Sequence, residues 1–284
     1  SIMSTIREIS KRIKSISNTR KVTHAMELVA AVKMRKSQLA ALSTRPYSLA
    51  LDQIISEVRS KTEHKTSLLT ENTSPNQIVI LVSSDRGLAG GLNINLFREV
   101  LRQEFKNIQF ITVGKKAQNF VAKTKGLIIA SFVSEEKTPL DLARTLTKMA
   151  IDAYIAKQTS KVSILYPHFQ STAEQIPKWI QLLPIELDDQ LPQNIDQRPA
   201  DLIFEPSAED ILKDILPHHV LTQIYQVLLE SKASEHSARM VAMKNATDAA
   251  GDLIDDLTLT YNQVRQETIT KELLDIVTAQ KALE

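Results

Sequence analysis

Residues 83–93 read Ser-Ser-Asp-Arg-Gly-Leu-Ala-Gly-Gly-Leu-Asn and follow directly on the apolar run Ile78-Val79-Ile80-Leu81-Val82. A strand running into a glycine-rich turn is the setting in which backbone N–H groups cradle phosphate. A dinucleotide fingerprint requires G-x-G-x-x-G, and a Walker loop requires G-x-x-x-x-G-K-[ST]. Gly87-Leu88-Ala89-Gly90-Gly91 meets neither spacing, and Leu92 stands where the phosphate-binding lysine would be. Gly114-Lys115-Lys116 lacks both the upstream glycine and the hydroxyl. The loop therefore reads as a tight turn off a sheet, with glycine supplying the backbone freedom. No nucleotide or other cofactor is expected there.

The remaining reactive side chains are no better arranged for catalysis. His24, His64, His168, His218, His219 and His236 show no HExxH or other metal spacing. The tandem His218-His219 beside Pro217 reads as a surface pair at a helix start. There is no G-x-S-x-G elbow. Adjacent acids at Glu135-Glu136, Asp188-Asp189 and Asp255-Asp256 point in different directions, so none forms an acid/base pair. The chain has no cysteine, which excludes disulfides, zinc–thiolate sites and thiol nucleophiles. Net charge is +2, so there is no global electrostatic case for nucleic acid. No apolar stretch approaches the roughly 20 residues of a membrane span. The expectation is a protein that is not itself an enzyme, with no metal, no nucleic acid and no membrane span of its own.

What the chain builds is set by where its helix breakers lie. All ten prolines fall between Pro46 and Pro217, and every glycine but Gly251 falls between Gly87 and Gly126. Two breaker-poor arms remain, 1–45 and the stretch from Pro217 to Glu284, against a mean helix of about 11–12 residues. In the first arm Ile6, Ile9, Ile13 and Ile16 recur at spacings of 3, 4 and 3, a coiled-coil seam. Its frame reads as slipping near Asn18-Thr19 and resuming through Val22, Met26 and Val29. In the last arm Ala246, Ala250, Leu253, Leu257, Tyr261 and Val264 form a comparable stripe. Ser207 with Asp210 three residues on marks its start. A helix of about 65 residues extends about 100 Å, so it needs a partner along its seam.

The first arm is basic, with Arg7, Lys11, Arg12, Lys14, Arg20 and Lys21 early in it; the last carries Asp248, Asp252, Asp255 and Asp256. Opposite fields favour antiparallel pairing of the two ends, though a basic helix face is also compatible with simple solvation. Between the arms the period changes. The runs at 78–82, 108–113, 127–132 and 162–166 are short and β-branched, while 93–105 and 139–157 have helical spacing, the latter opened by Thr138-Pro139-Leu140-Asp141. This is an α/β pattern with a mostly parallel sheet. Residues 60–76 read as a linker, and 176–206 as an edge strand plus loops.

Three stretches then combine. KVTHAMELVAAVKMRKSQ (21–38), SSDRGLAGGLN (83–93) and ARMVAMKNATDAAGDLIDDLTLTYNQVRQETITKELLDI (238–276) stand in an order and spacing that closely resemble the gamma subunits of F-type ATP synthases. The resemblance covers nearly the whole chain. It implies an antiparallel coiled coil of long N- and C-terminal helices plus a central Rossmann-like, mostly parallel α/β domain that binds no nucleotide. Its segments would be a shaft helix at 1–58, a linker at 59–76, the α/β domain at 77–206 and a second shaft helix at 207–284.

The implied function is that of the central rotor shaft, coupling proton-driven rotation of the c-ring to the conformational cycle of the catalytic alpha/beta ring. The implied partners are the alpha and beta subunits, the epsilon subunit and the c-ring, in a bacterial complex peripheral to the cytoplasmic face of the plasma membrane. Carried over position by position, Met26, Arg239, Arg265, Gln266, Thr270, Glu272 and Asp275 would contact the alpha/beta ring, and Glu205 would face the c-ring. Ala279-Gln280 stand where the family usually has a Gly-Ala pair, and Leu202 and Phe204 replace more usual tyrosines. The competing reading is a non-motor coiled-coil adaptor with an α/β head.

Overall fold

The computed structural model describes residues 2–60, 66–103, 107–186 and 207–281. The breaker-poor arms become two continuous helices, α1 (Ile2–Ser60) and α5 (Ala208–Lys281). Helix α5 begins where the sequence places its cap: Asp210 N donates to Ser207 Oγ at 3.1 Å. Each helix contains one proline, Pro46 and Pro217. An interior proline deletes one i→i−4 hydrogen bond and costs about 3 kcal/mol, so tertiary burial must outweigh propensity at both positions. It does so through Leu51, Ile55 and Val58 after Pro46, and Leu212, Leu216 and Val220 around Pro217, all buried. The chain divides into two compact units, 32–238 on one hand and 1–31 with 239–284 on the other, and both long helices contribute to each.

The larger unit holds a five-stranded sheet in the order β3-β2-β1-β4-β5. Strands β1 (Gln77–Val82), β2 (Ile108–Val113), β3 (Leu127–Phe132) and β4 (Lys161–Phe169) are parallel; β5 (Gln175–Leu183) returns antiparallel along β4. Alternate residues of β1 serve opposite faces. Ile78, Ile80 and Val82 meet α4 (Pro139–Ile155) and the buried stripes of α1 and α5. Val79 and Leu81 meet Leu96 and Val100 of α2 (Leu92–Arg102) and Ala117 and Val121 of α3 (Lys115–Lys123). Both faces are covered, so β1 is a continuous apolar run and not an alternating one. Helix α4 is capped by Thr138, whose Oγ1 accepts from Asp141 N at 3.2 Å with Pro139 following.

Two local expectations change. Helix α3 has no counterpart in the sequence reading, since nine residues with three lysines show only one buried apolar pair. The linker is tied down: Leu68, in a 3-10 turn at Ser67–Leu69, is buried in the core, and Ile185 N donates to its carbonyl at 2.9 Å.

In the smaller unit the seam follows a frame that the sequence marks only in part. Ile6, Ile9, Ile13 and Ile16 are half-buried, as is Ser17 beside Ile16. The same 3–4 spacing leads through Arg20, which is exposed, to half-buried Thr23 and Glu27 and buried Ala30, and Met26, expected on the seam, is half-buried as well. Val22 and Val29, expected on the seam, are 58% and 56% exposed. On α5 the half-buried or buried line is Thr247, Ala250, Ile254, Leu257, Tyr261, Val264 and Thr268, and Leu253 is 45% exposed. Arg20 occupies a seam position because Gly251 faces it. A Cβ built on Gly251 would lie 3.3 Å from the Arg20 guanidinium carbon. The next layer is also polar, with Thr23 Oγ1 and Thr247 Oγ1 hydrogen-bonded at 2.7 Å. Position 20 opposite 251 and 23 opposite 247 make the pair antiparallel, as the charge pattern implies.

Candidate functional site

An open α/β sheet binds ligands outside the carboxyl ends of its strands, at the point where strand order reverses. Here that point lies between β1 and β4, directly below residues 83–93. The turn that leaves β1 there is held by the protein's own groups. Asp85 Oδ1 accepts from Lys115 N at 3.1 Å and Ser134 N at 3.3 Å, while Oδ2 accepts from Glu135 N at 3.0 Å. Lys115 is the first residue of α3, so an internal carboxylate takes the N-terminus of the helix that follows β2. Ser83 Oγ accepts from Ala117 N at 2.7 Å. Asn93 closes the turn, accepting from Ser84 N at 3.2 Å and donating to Ser84 Oγ at 2.8 Å.

Gly114, at φ +93°, lets the α3 entry approach β1. A Cβ there would stand 2.3 Å from the Ser83 carbonyl oxygen. Helix α5 then covers the crevice: Ala238 clusters with Ala89 and Leu92, Lys232 Nζ donates to Ser134 O at 3.4 Å, and Ser237 Oγ donates to Thr172 O at 2.8 Å.

Lower on the same helix, the tandem histidines correct the sequence expectation in part. They lie inside α5, whose cap Ser207 stands eleven residues before His218. His218 Nε2 is 2.6 Å from Tyr47 Oη, and His219, 3% exposed, sits with Nδ1 3.1 Å from Asp52 Oδ1. His219 is buried in the contact between α1 and α5, whereas His218 is exposed, as expected, with its ring against Tyr47.

At the other end of α5, every residue from Ile269 to Gln280 is exposed. That stretch includes Leu273, Leu274, Ile276 and Val277, each more than half exposed. Clustered apolar exposure of this kind marks a surface that another molecule covers.

A family profile described as ATP synthase matches residues 5–283. The ATP synthase gamma chain of Methylacidiphilum infernorum is 39% identical over 292 aligned positions, covering 99% of this chain and all of the relative. The chain belongs to the ATP synthase gamma-chain family. The gamma chain of Opitutus terrae is 36% identical, with 99% of both chains covered. Among solved structures, a chain of the Euglena gracilis mitochondrial ATP synthase in an OSCP/F1/c-ring assembly matches with TM-score 0.70 at 18% identity, covering 99% of this chain and 95% of that one. A chain of the rotor from the same source matches with TM-score 0.67 at 17% identity, covering 94% and 99%. These two likenesses carry the fold. As a gamma chain, the protein is a non-catalytic subunit of the ATP synthase complex.

The family's expected contact residues fall into three groups. Met26 and Arg239 are half-buried; Arg265, Gln266, Thr270, Glu272 and Asp275 are exposed on the last turns of α5. Thr270 Oγ1 donates to Gln266 O at 3.0 Å, placing those two one turn apart on one line. Glu205, with Leu202 and Phe204, lies outside the described residues. Residue-wise reading missed Leu273, Leu274, Ile276 and Val277. Their signal was an apolar stretch that the seam frame leaves outside the helix pair.

Proposed function

We propose that this gamma chain is the central rotor shaft of an F-type ATP synthase. In that role it stands within the alpha/beta ring, rests on the c-ring with the epsilon subunit beside it, and couples proton-driven rotation to the catalytic cycle. The observation that supports this most is the exposed end of α5, where large apolar side chains and charged ones are both left uncovered. An axle without threefold symmetry cannot touch three identical catalytic subunits identically. Each is biased to a different conformation, and turning the axle passes the states around. A ligand or contact that moves a site from 1:99 to 99:1 must supply about 5.5 kcal/mol of differential interaction, an amount several side-chain contacts provide together.

On this reading Arg265, Gln266, Thr270, Glu272 and Asp275 contact the alpha/beta ring near the end of α5, Met26 and Arg239 contact it lower down, and Glu205 faces the c-ring. The functional segments are the shaft helices at 1–58 and 207–284, the linker at 59–76 and the α/β domain at 77–206. The chain sits at the cytoplasmic face of a bacterial plasma membrane through its partners. Among the described residues no helix is long and apolar enough to cross a membrane.

The deciding experiment reconstitutes the complex with Arg265→Ala. ATP-driven proton pumping drops or assembly weakens, while the purified chain keeps its circular dichroism and melting temperature. Unchanged pumping overturns the assignment of Arg265. Failure of the unaltered chain to assemble with alpha and beta subunits overturns the shaft reading in favour of an adaptor. Tight, magnesium-dependent ATP binding by the isolated chain counts against both.

A further inference from the structure

A shaft that carries torque must be fastened to the domain that receives it. Within the unit 32–238, an apolar core joins the sheet to α1 and α5, but apolar contacts are non-directional and resist sliding weakly. Hydrogen bonds to an ion are directional and about twice as strong as neutral ones. One side chain gathers several of them.

Glu230 of α5 receives two donors from β4. Tyr166 Oη donates to its Oε2 at 3.0 Å, and His168 Nδ1 lies 2.8 Å from the same oxygen. Its other oxygen, Oε1, accepts from Gln226 Nε2 at 3.1 Å, one turn earlier in α5. Gln226 passes the connection to α1: its Nε2 also donates to Ala41 O at 3.2 Å, and its Oε1 accepts from Thr44 Oγ1. Both amide protons of Gln226 and its carbonyl oxygen are used, so its orientation is determined. Burial, together with the Glu230 charge, pushes the Tyr166 hydroxyl far above its ordinary pKa, which keeps it a donor. Lys232 and Ser237 tie α5 by itself to the sheet's loops, whereas the Glu230 network continues to the second helix.

Resting on the shaft reading, we infer that Glu230 is the torque joint of the subunit, a positioning residue that locks β4 of the α/β domain to α5 and, through Gln226, to α1. Rotation of the domain then turns both helices together and not one past the other.

The test uses the assembled, membrane-reconstituted complex and reads two quantities: protons pumped per ATP hydrolysed, and amide hydrogen exchange at 162–169 and 226–234. Glu230→Ala removes the shared acceptor. Local opening, and with it exchange, rises about ten- to a hundredfold, as expected for losing one or two charge-assisted hydrogen bonds. Hydrolysis continues, and the pumping-to-hydrolysis ratio falls. His168→Leu lowers the ratio in the same direction, while His168→Gln, whose amide N–H replaces the ring N–H, restores it. Gln226→Leu, which cuts only the extension to α1, also lowers it.

A proportional fall of pumping and hydrolysis, with the ratio unchanged, reduces Glu230 to a stability residue and overturns the inference. So does a ratio at the unaltered value in all four variants. If Glu230→Ala does not assemble, the milder His168 pair decides. Failure of the unaltered chain to support pumping indicts the shaft reading instead, so the two failures are distinguishable.

Discussion

Asp85 shows how a single side chain decides what a fold cannot do. Its carboxylate joins the loops after β1, β2 and β3 through three backbone N–H groups, which makes it a brace at the sheet's carboxyl edge. Asp85→Ala leaves those donors to water in a half-buried turn, and we expect a loss of about 2 kcal/mol, measured as a lower urea midpoint with unchanged slope. Tyr166 offers a pH-dependent counterpart. Burial and the Glu230 carboxylate raise its pKa in the folded state above the ordinary value of 10. The contribution it makes is therefore intact below pH 10. Above that, the unfolded chain releases a proton that the folded chain retains, so stability falls. Tyr166→Phe should remove part of this alkaline decline, seen by comparing urea midpoints at neutral pH and above pH 10, and should delete a late component from the phenolate absorbance titration.

At the scale of elements, the paired helices keep one heptad frame by substituting chemistry, not by shifting register. Arg20 holds a seam position, Gly251 makes room for it, and the Thr23–Thr247 bond forms the next layer. A polar seam layer costs stability relative to an apolar one but specifies alignment. Gly251→Ala tests which constraint dominates. Alanine favours a helix interior over glycine by about 1 kcal/mol. Its Cβ meets the far end of a flexible, exposed arginine, 3.3 Å away, which can yield. The expected outcome is a higher melting temperature, read by circular dichroism. Gly114 has no such latitude, because its φ is +93° and its obstacle is the backbone carbonyl of Ser83. The two glycines look alike in sequence and differ in what stands against them.

At the scale of the whole molecule, the core and the exposed end of α5 are separate investments. Residues 269–280 contribute no buried side chain. Removing 269–284 should therefore change the unfolding free energy of the isolated chain by less than about 0.5 kcal/mol, while weakening its co-assembly with alpha and beta subunits in a pull-down. A large loss of stability would place this segment in the fold instead of at an interface. The apolar residues exposed there give the reason for expecting an interface, since water is a poor neighbour for four large aliphatic side chains on two turns.

The sequence by itself determined the two long helices, the four parallel strands and the caps at Ser207 and Thr138, because breakers, β-branched runs and spacing are local properties of the chain. Its longest motifs also carried the family. It misjudged the seam after Ile16, assigning Val22, Val29 and Leu253 where Arg20, Thr23 and Ile254 stand, because hydrophobicity marks a frame only where the facing residue is apolar too. It placed His219 on the surface together with His218, because its partner Asp52 lies more than 160 positions away. The tertiary structure decided those matters. It also decided that Asp85 braces the loops after β2 and β3 and that Glu230 collects donors from β4 and α5, since a hydrogen-bond network between distant segments has no signature until folding brings its members together.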